Sequence, residues 1–238
     1  MTYISSYDFS VVRGREAEPA GRCRIVSLSL GTCPSPMVMA VVEGSRAGIG
    51  GQIAAAKAVE ALREHSIESH EPLPLEAPEI LRGLFRRANA EVFRYAESFA
   101  GDRRVSANML ALAYDGSRAT IAQCSPCESY VWRGGTLERF HPIDEDGESG
   151  ERLLARQLGA QSSIVVDLAT IALVPGDLVI ATTAPPADAL LEHVRELVPR
   201  LGHGPELSRA ICAWLADIQR PDSAERFQSD VVCLLYVQ

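Results

Sequence analysis

The stretch Met37-Val38-Met39-Ala40-Val41-Val42-Glu43-Gly44 is a continuous apolar run that stops at an acid and a glycine. A short uninterrupted run of this kind fits a strand buried on both faces, because a half-exposed strand would alternate. The glycines continue at Gly44, Gly48, Gly50 and Gly51, which reads as a loop. A helix is expected from Gly51 to His65, with Ile53, Ala54, Ala58, Ala61 and Leu62 on one face. The loop lacks the Lys-Ser/Thr of a Walker motif and the GxGxxG spacing of a dinucleotide fold, so it is not a standard phosphate loop.

Working outward, Ser66 to Pro78 is a connection with three prolines. A second helix is expected over 79–99, where Ile80, Leu81, Leu84, Phe85, Ala88, Val92, Phe93 and Ala96 keep helical spacing. Arg82, Arg86, Arg87 and Arg94 fall elsewhere on the wheel and read as a solvated face. Strands follow at Met109–Tyr114, Thr120–Gln123, Tyr130–Arg133 and Thr136–Phe140. Asp115-Gly116 and Gly134-Gly135 supply tight turns, and the whole reads as an antiparallel meander. The acidic stretch Asp144 to Glu151 reads as a solvated loop. Further strands are expected at Ser163–Leu168 and Leu178–Thr182, with a turn at Val174-Pro175-Gly176-Asp177. Helices are expected at 187–201 and 205–218, and a closing strand at Val231–Val237. Val41, Val42, Leu110, Leu112, Ile180 and Leu234 are the expected core. Helices grouped beside antiparallel strands argue for α+β layers. No repeat or linker is visible, so 1–238 reads as a single domain.

Apolar residues make up 47% and charged residues 23% of the 238, which excludes a disordered, collagen-like or coiled-coil chain. No apolar run reaches the roughly 18 to 20 residues that a membrane helix needs, so no membrane partner is expected. The first ten residues show neither a basic nor an apolar leader, so the cytoplasm is the expected location. The net charge of −8 disfavours nucleic acid as a partner. Lys57 is the sole lysine, and the 22 arginines are scattered, which reads as codon bias.

The order of elements and several short motifs resemble the type-2C metal-dependent protein phosphatases. Val41-Val42-Glu43-Gly44 through Leu62 is similar to that family's Asp-Gly-Met-Gly-Gly-His loop and the helix after it. Ala111–Gly116 and Tyr130–Glu138 resemble its central hairpins, and Val174–Ile180 the strand before its Ser-Asp-Gly-Leu motif. Ser229-Asp230-Val231-Val232 stands where the family has Asp-Asn and a last strand. The resemblance covers nearly the whole chain. It implies a four-layer αββα sandwich of two antiparallel sheets flanked by helix pairs.

The scaffold motifs are kept, whereas most of the family's metal chemistry is not. The bridging aspartate is replaced by Glu43, and Gly44 is retained. Ala184 stands at the Ser-Asp-Gly aspartate and Ser229 at the C-terminal one, with Asp230 adjacent as a possible substitute. Pro126 stands at the acid of the family's Gly-Asp-Ser-Arg turn, and Gly48 at its loop histidine, the candidate proton donor. Arg13 takes the place of the phosphate-binding arginine, with Arg15 and Glu16 as alternative alignments. Glu18 is the surviving acid of an acidic pair whose other place is Ala17. Two close divalent cations need several carboxylates to offset their repulsion, and Glu18, Glu43 and Asp230 are the acids on offer.

The resemblance therefore implies a non-catalytic, pseudophosphatase-like binding or regulatory module in bacterial-type phosphoprotein signalling. Its partner would be a kinase or a phosphoprotein, and no cofactor is expected. An active phosphoserine/phosphothreonine phosphatase using Mn²⁺ or Mg²⁺ is the alternative, and a small-molecule binder reusing the cleft is a third. Other chemistry is weakly signalled. Cys124-Ser125-Pro126-Cys127 has CxxC spacing, but the second ligand pair of a zinc site is missing, so two free turn thiols are expected. The histidines His65, His70, His141, His193 and His203 form no HxH or HxxxH pair.

Overall fold

The computed structural model describes residues 5–12, 23–29, 37–45, 49–68, 76–98, 105–124, 127–140, 156–182, 188–202, 206–207, 210–211 and 230–237. Of residues 5–12, 23–29, 37, 65–68, 182, 188–191 and 230–237 it describes the backbone course. The elements in chain order are β1 (Ser5–Val12), β2 (Cys23–Ser29), β3 (Met37–Gly44), α1 (Ile49–Glu68), α2 (Ala77–Ser98), β4 (Ala107–Tyr114) and β5 (Arg118–Cys124). They continue with β6 (Glu128–Arg133), β7 (Thr136–Arg139), β8 (Asp167–Ala172), β9 (Leu178–Thr182), α3 (Asp188–Leu201) and β10 (Asp230–Val237). Residues 206–207 and 210–211 are also helical. Two five-stranded sheets form, β1-β10-β9-β6-β7 and β2-β3-β4-β5-β8. Every neighbouring pair is antiparallel.

Successive residues of a strand point to opposite faces, and here both faces are buried. On β3, Val38, Ala40 and Val42 pack toward α1 and α2, while Met39 and Val41 pack toward the other sheet. On β4, Met109, Ala111 and Ala113 take the helix side, and Leu110, Leu112 and Tyr114 the inter-sheet side. The second sheet repeats the pattern. Val179, Ala181 and Val131 join the inter-sheet core, while Leu178, Ile180, Tyr130 and Trp132 pack outward against Val194, Leu197 and Val198 of α3. This is the physical reason for the unbroken apolar runs: each of β3, β4, β6 and β9 serves two cores. The alanines Ala54, Ala55 and Ala58 of α1 and Ala40 and Ala111 of the sheet keep that helix layer close. The resulting order is helices, sheet, sheet, helix, the α+β sandwich expected from the motif order.

Of the expected core, Val41, Val42, Leu110, Leu112 and Ile180 are buried, at 3% exposure or less. The side chain of Leu234 lies outside the described residues. Arg82, Arg86, Arg87 and Arg94 are exposed, as a solvated face requires. The helix expected over 205–218 is seen at 206–207 and 210–211, and its remainder lies outside the described residues, as does the loop 144–151. Gly134 and Gly135 both have positive φ, 56° and 88°, the primed hairpin turn that glycine permits.

Two expectations are corrected. The strands at 109–140 do not form one meander. β4 and β5 pair in one sheet and β6 and β7 in the other, so the chain changes sheet between Cys124 and Glu128. The strand expected at 163–168 is displaced to Asp167–Ala172. Its ladder runs from Gln123↔Asp167 to Arg118↔Ala172, and β5 ends at Cys124, so the register carries residues 163–165 past the end of β5. Ile164 and Val166 are apolar because they pack on the helix-side core from an irregular segment. β1 and β2 had no individual sequence signal and are additional strands.

Candidate functional site

Glu43 closes β3 and is 2% exposed. It continues the odd-numbered series Met39 and Val41, so it stands on the inter-sheet face at one end of the inner core. Gly44 follows at a close approach of backbones. A Cβ placed on it would lie 2.3 Å from the carbonyl oxygen of Gly51, in the first turn of α1. The strand end can therefore pack against the helix end because Gly44 has no side chain.

Ser45, the residue after Gly44, is tied to the residue that precedes β4. Ser45 donates its backbone N–H to the Ser106 carbonyl at 2.9 Å and its hydroxyl to the same oxygen at 3.0 Å. The two serine hydroxyls are also in contact, and Ser106 Oγ donates to Gln157 Oε1 at 2.9 Å. Leu158 and Ala107 exchange backbone bonds at 2.8 and 3.1 Å. Asn89 of α2 holds the same segment: its Oδ1 accepts from Gly159 N–H at 2.9 Å, and its Nδ2 donates to the carbonyls of Gln161 and Ser162 at 3.0 and 3.3 Å. The Glu43 corner is thus fixed by α2, β4 and the segment 157–162 together.

Across the ladder, Glu43 stands opposite Asn108 on β4 and opposite Cys23 on β2. Asn108 is 1% exposed, and its Oδ1 is buried without a hydrogen-bond partner. Gln123 pairs with Leu110, which places it on the same inner face, and its Oε1 is likewise buried without a partner. Asp167 stands opposite Gln123 at the sheet edge and is ion-paired with Arg156. Neither Asn108 nor Gln123 was singled out from the sequence. The available signal is a polar letter near a strand end, Asn108 second in β4 and Gln123 second from last in β5.

Asp230 begins β10, opposite Val12. It shares strand parity with Val232 and Leu234, and Leu234 stands opposite Ile180, which packs under α3. Asp230 therefore occupies a register position of the outward face, whereas Glu43 is on the inner one. Arg13, Glu18, Gly48, Pro126, Ala184 and Ser229 lie outside the described residues. Among the described residues, no group of three or more His, Cys, Asp or Glu side chains gathers in a metal-holding arrangement. No described helix is long and apolar enough to cross a membrane.

Cys124 and Cys127 are both buried, and neither is in a disulfide. Cys124 Sγ accepts the Met109 N–H at 3.1 Å, and burial pushes its pKa up to about 12. A thiol so placed is inert. On the outward face of its sheet, Tyr130 donates its hydroxyl to buried Glu128, and Arg139 lies over the Tyr130 ring at 5.7 Å and reaches Glu128 at 3.4 Å. Burial, and then the Glu128 bond, raise the Tyr130 phenol above its ordinary range. Arg133 clamps Asp177 with bonds of 2.9 and 2.5 Å, and Asp177 in turn accepts the Val174 N–H, which closes the turn before β9.

No family model and no curated protein matches the chain. Solved structures match it along its whole length. The serine/threonine phosphatase Stp1 from Staphylococcus aureus is similar with a TM-score of 0.74 at 13% identity, over 99% of this chain and 95% of that one. The catalytic domain of the serine/threonine protein phosphatase PstP, solved with 2 manganese ions, gives a TM-score of 0.71 at 17% identity, over 99% of each chain. PppA, a key regulatory component of T6SS in Pseudomonas aeruginosa, gives 0.68 at 18% identity, over 100% of this chain and 99% of that one. The sandwich of this chain is the fold of these three proteins.

Proposed function

We propose that this chain, on its type-2C-phosphatase-like sandwich, is a non-catalytic binding or regulatory module that engages a phosphoprotein or a kinase in the cytoplasm. The observation that carries the reading is the make-up of the inner face around Glu43. Directly across from this buried carboxylate stands a neutral amide, Asn108, and the next polar residue on that face is another amide, Gln123. The one further described acid on that face, Asp167, is engaged by Arg156.

A pair of divalent cations such as PstP holds does not fit these residues. Two dications at close range require several carboxylates to offset their repulsion. Glu43 offers one, and Asp230 stands at an outward register position. Ala184 and Ser229 have no carboxylate to offer at the places the resemblance assigns to acids, and Gly48 has no proton to give. Losses in one shared chemical step do not add, so a single surviving acid is not expected to preserve part of the rate. The likeness to PppA supports a regulatory setting, because the same sandwich occurs there in a regulatory component.

The test is an assay of the purified chain against a phosphopeptide and p-nitrophenyl phosphate with millimolar Mn²⁺ or Mg²⁺, beside a Glu43→Ala variant. The expected result is hydrolysis at background for both proteins. Turnover in the wild type that disappears in the variant would falsify the reading and establish an active metal-dependent phosphatase.

A further inference from the structure

We infer that the outer edge of β8, with the residues just before it, pairs antiparallel with the same edge of a second copy of this chain, centred on Leu168. This goes beyond the proposed module and does not depend on it.

β8 is the last strand of its sheet, and among the described residues no strand pairs with its far side. Leu173, just past it, donates its N–H to the Ser117 carbonyl at 2.8 Å. Bonding direction alternates along an antiparallel strand, so Asp167, Ala169 and Ile171 bond toward β5, and the backbone groups of Leu168, Thr170 and Ala172 point outward. Two contacts agree with this. The Thr120 and Thr170 hydroxyls meet at 2.9 Å, the close side-chain approach of a non-hydrogen-bonded pair, and the Ala172 carbonyl is free to accept Arg133 at 2.8 Å. Before β8, Ile164 and Val166 pack on the helix-side core while Val165 between them is 64% exposed. That alternation is the mark of an extended chain, which prolongs the edge.

Sheet edges are normally blunted by charge, proline, bulges or short length. Residues 164–172 read Ile-Val-Val-Asp-Leu-Ala-Thr-Ile-Ala, with neither proline nor glycine. Their sole charge, Asp167, is engaged by Arg156. The contrast is β7, an edge of the other sheet, which is the short Thr-Leu-Glu-Arg. Val165 is also the most exposed large apolar residue among the described residues.

The register selects the occupant. The outward-bonding residues are even-numbered, so an added antiparallel strand must set its own outward-bonding residues against them. The segment meets this condition with itself. Centred on Leu168, it sets Leu168 against Leu168, Val166 against Thr170 and the exposed Val165 against Ile171. Such aliphatic and β-branched cross-strand pairs stabilise a sheet. Asp167 then faces Ala169. Centring on Asp167 instead would oppose the two acids, and centring on Ala169 would set each acid against Ile171, so the Leu168 register is preferred. The pairing is isologous and uses each edge once, so it stops at a dimer. One strand pair is a small interface, and the association is weak and concentration-dependent.

The test is sedimentation velocity of the full chain from low micromolar to near-millimolar concentration, beside Val165→Lys. Val165 is exposed and precedes the ladder, so the variant is expected to fold, which thermal unfolding at low concentration checks. The wild type is expected to shift from monomer to dimer, and Val165→Lys to weaken the dimer at least about tenfold by placing a charge against Ile171. Amide exchange read residue by residue locates the contact. Raising the concentration should slow exchange at Leu168 and Thr170, whose N–H groups point outward, and leave Ala169 and Ile171 unchanged, since β5 already protects them. A wild type that stays monomeric throughout overturns the inference. So does a dimer whose affinity Val165→Lys leaves unaltered, and so does a dimer without added protection at Leu168 and Thr170, which means that the copies meet elsewhere.

Discussion

Gly44 and Gly83 show how one residue type carries different meanings. A Cβ at Gly44 would lie 2.3 Å from the Gly51 carbonyl oxygen and 2.4 Å from its Cα, and both are backbone atoms that no rotamer change can move aside. A Cβ at Gly83, inside α2, would meet nothing within 4 Å. Gly44→Ala is therefore expected to cost about 1–3 kcal/mol or more through overpacking, and Gly83→Ala to gain about 0.5–1 kcal/mol from helix propensity. Urea midpoints should move in opposite directions, and equal midpoints would refute the close approach. Cys124 gives a second test at this scale. Its folded pKa of about 12 lies above the ordinary value of 9.0, so burial favours the neutral thiol. The stability linked to it is full below pH about 9 and is lost as pH rises from there toward 12. Tyr130 is shifted the same way. The slope of stability against pH in that window should thus be shallower in Cys124→Ala than in the wild type, and identical slopes would show that the thiol does not contribute. The site itself was half legible. Glu43 and Gly44 could be read because an acid and a glycine end an apolar run. Asn108 and Gln123 could not, since a polar letter in a strand has no meaning until the register says which face it joins.

At the scale of elements, what could be read was whatever leaves a local mark. The periodicity over 79–99 gave α2 to within two residues, and both hairpin turns were visible in their glycines. The change of sheet after Cys124 left no mark, because strands buried on both faces look alike whichever sheet they enter. The displaced β8 shows the converse: apolar letters at Ile164 and Val166 reported burial, not a ladder. Asn89 is the polar exception inside the apolar stripe of α2, four residues after Phe85 and 2% exposed. Its amide does for segment 157–162 what a ladder does for a strand. Asn89→Ala removes an acceptor from Gly159 N–H and a donor from the carbonyls of Gln161 and Ser162. Leaving such groups unpaired should cost about 1–3 kcal/mol. The specific readout is amide exchange, which should quicken at Gly159 more than in α1. Unchanged protection at Gly159 would mean the segment is held without Asn89.

Over the whole molecule, the three described cores are joined through shared strands, and this predicts how the chain unfolds. β3 and β4 face the helix layer with one set of residues and the opposite sheet with the other, and β6 and β9 do the same toward α3. No layer can leave without exposing one face of a strand whose other face is still packed. Leu84 lies in the core under α1 and α2, Leu110 in the core between the sheets, and Ile180 in the core under α3. Each is at most 2% exposed, so truncation to alanine leaves a cavity and should cost about 2–5 kcal/mol. If the layers are coupled, all three variants keep a single urea transition, and far-ultraviolet and near-ultraviolet circular dichroism report the same midpoint. The slope of free energy against urea should also stay at the wild-type value, because the same surface is exposed in each case. The sensitive variant is Ile180→Ala, since α3 packs through its core onto one sheet face alone. An early loss of the near-ultraviolet aromatic signal in that variant, with helical signal persisting to higher urea, would show that the α3 layer detaches by itself. Coincident transitions would instead mean that a partner docking on either outer layer bears on the stability of the Glu43 corner, through strands common to both.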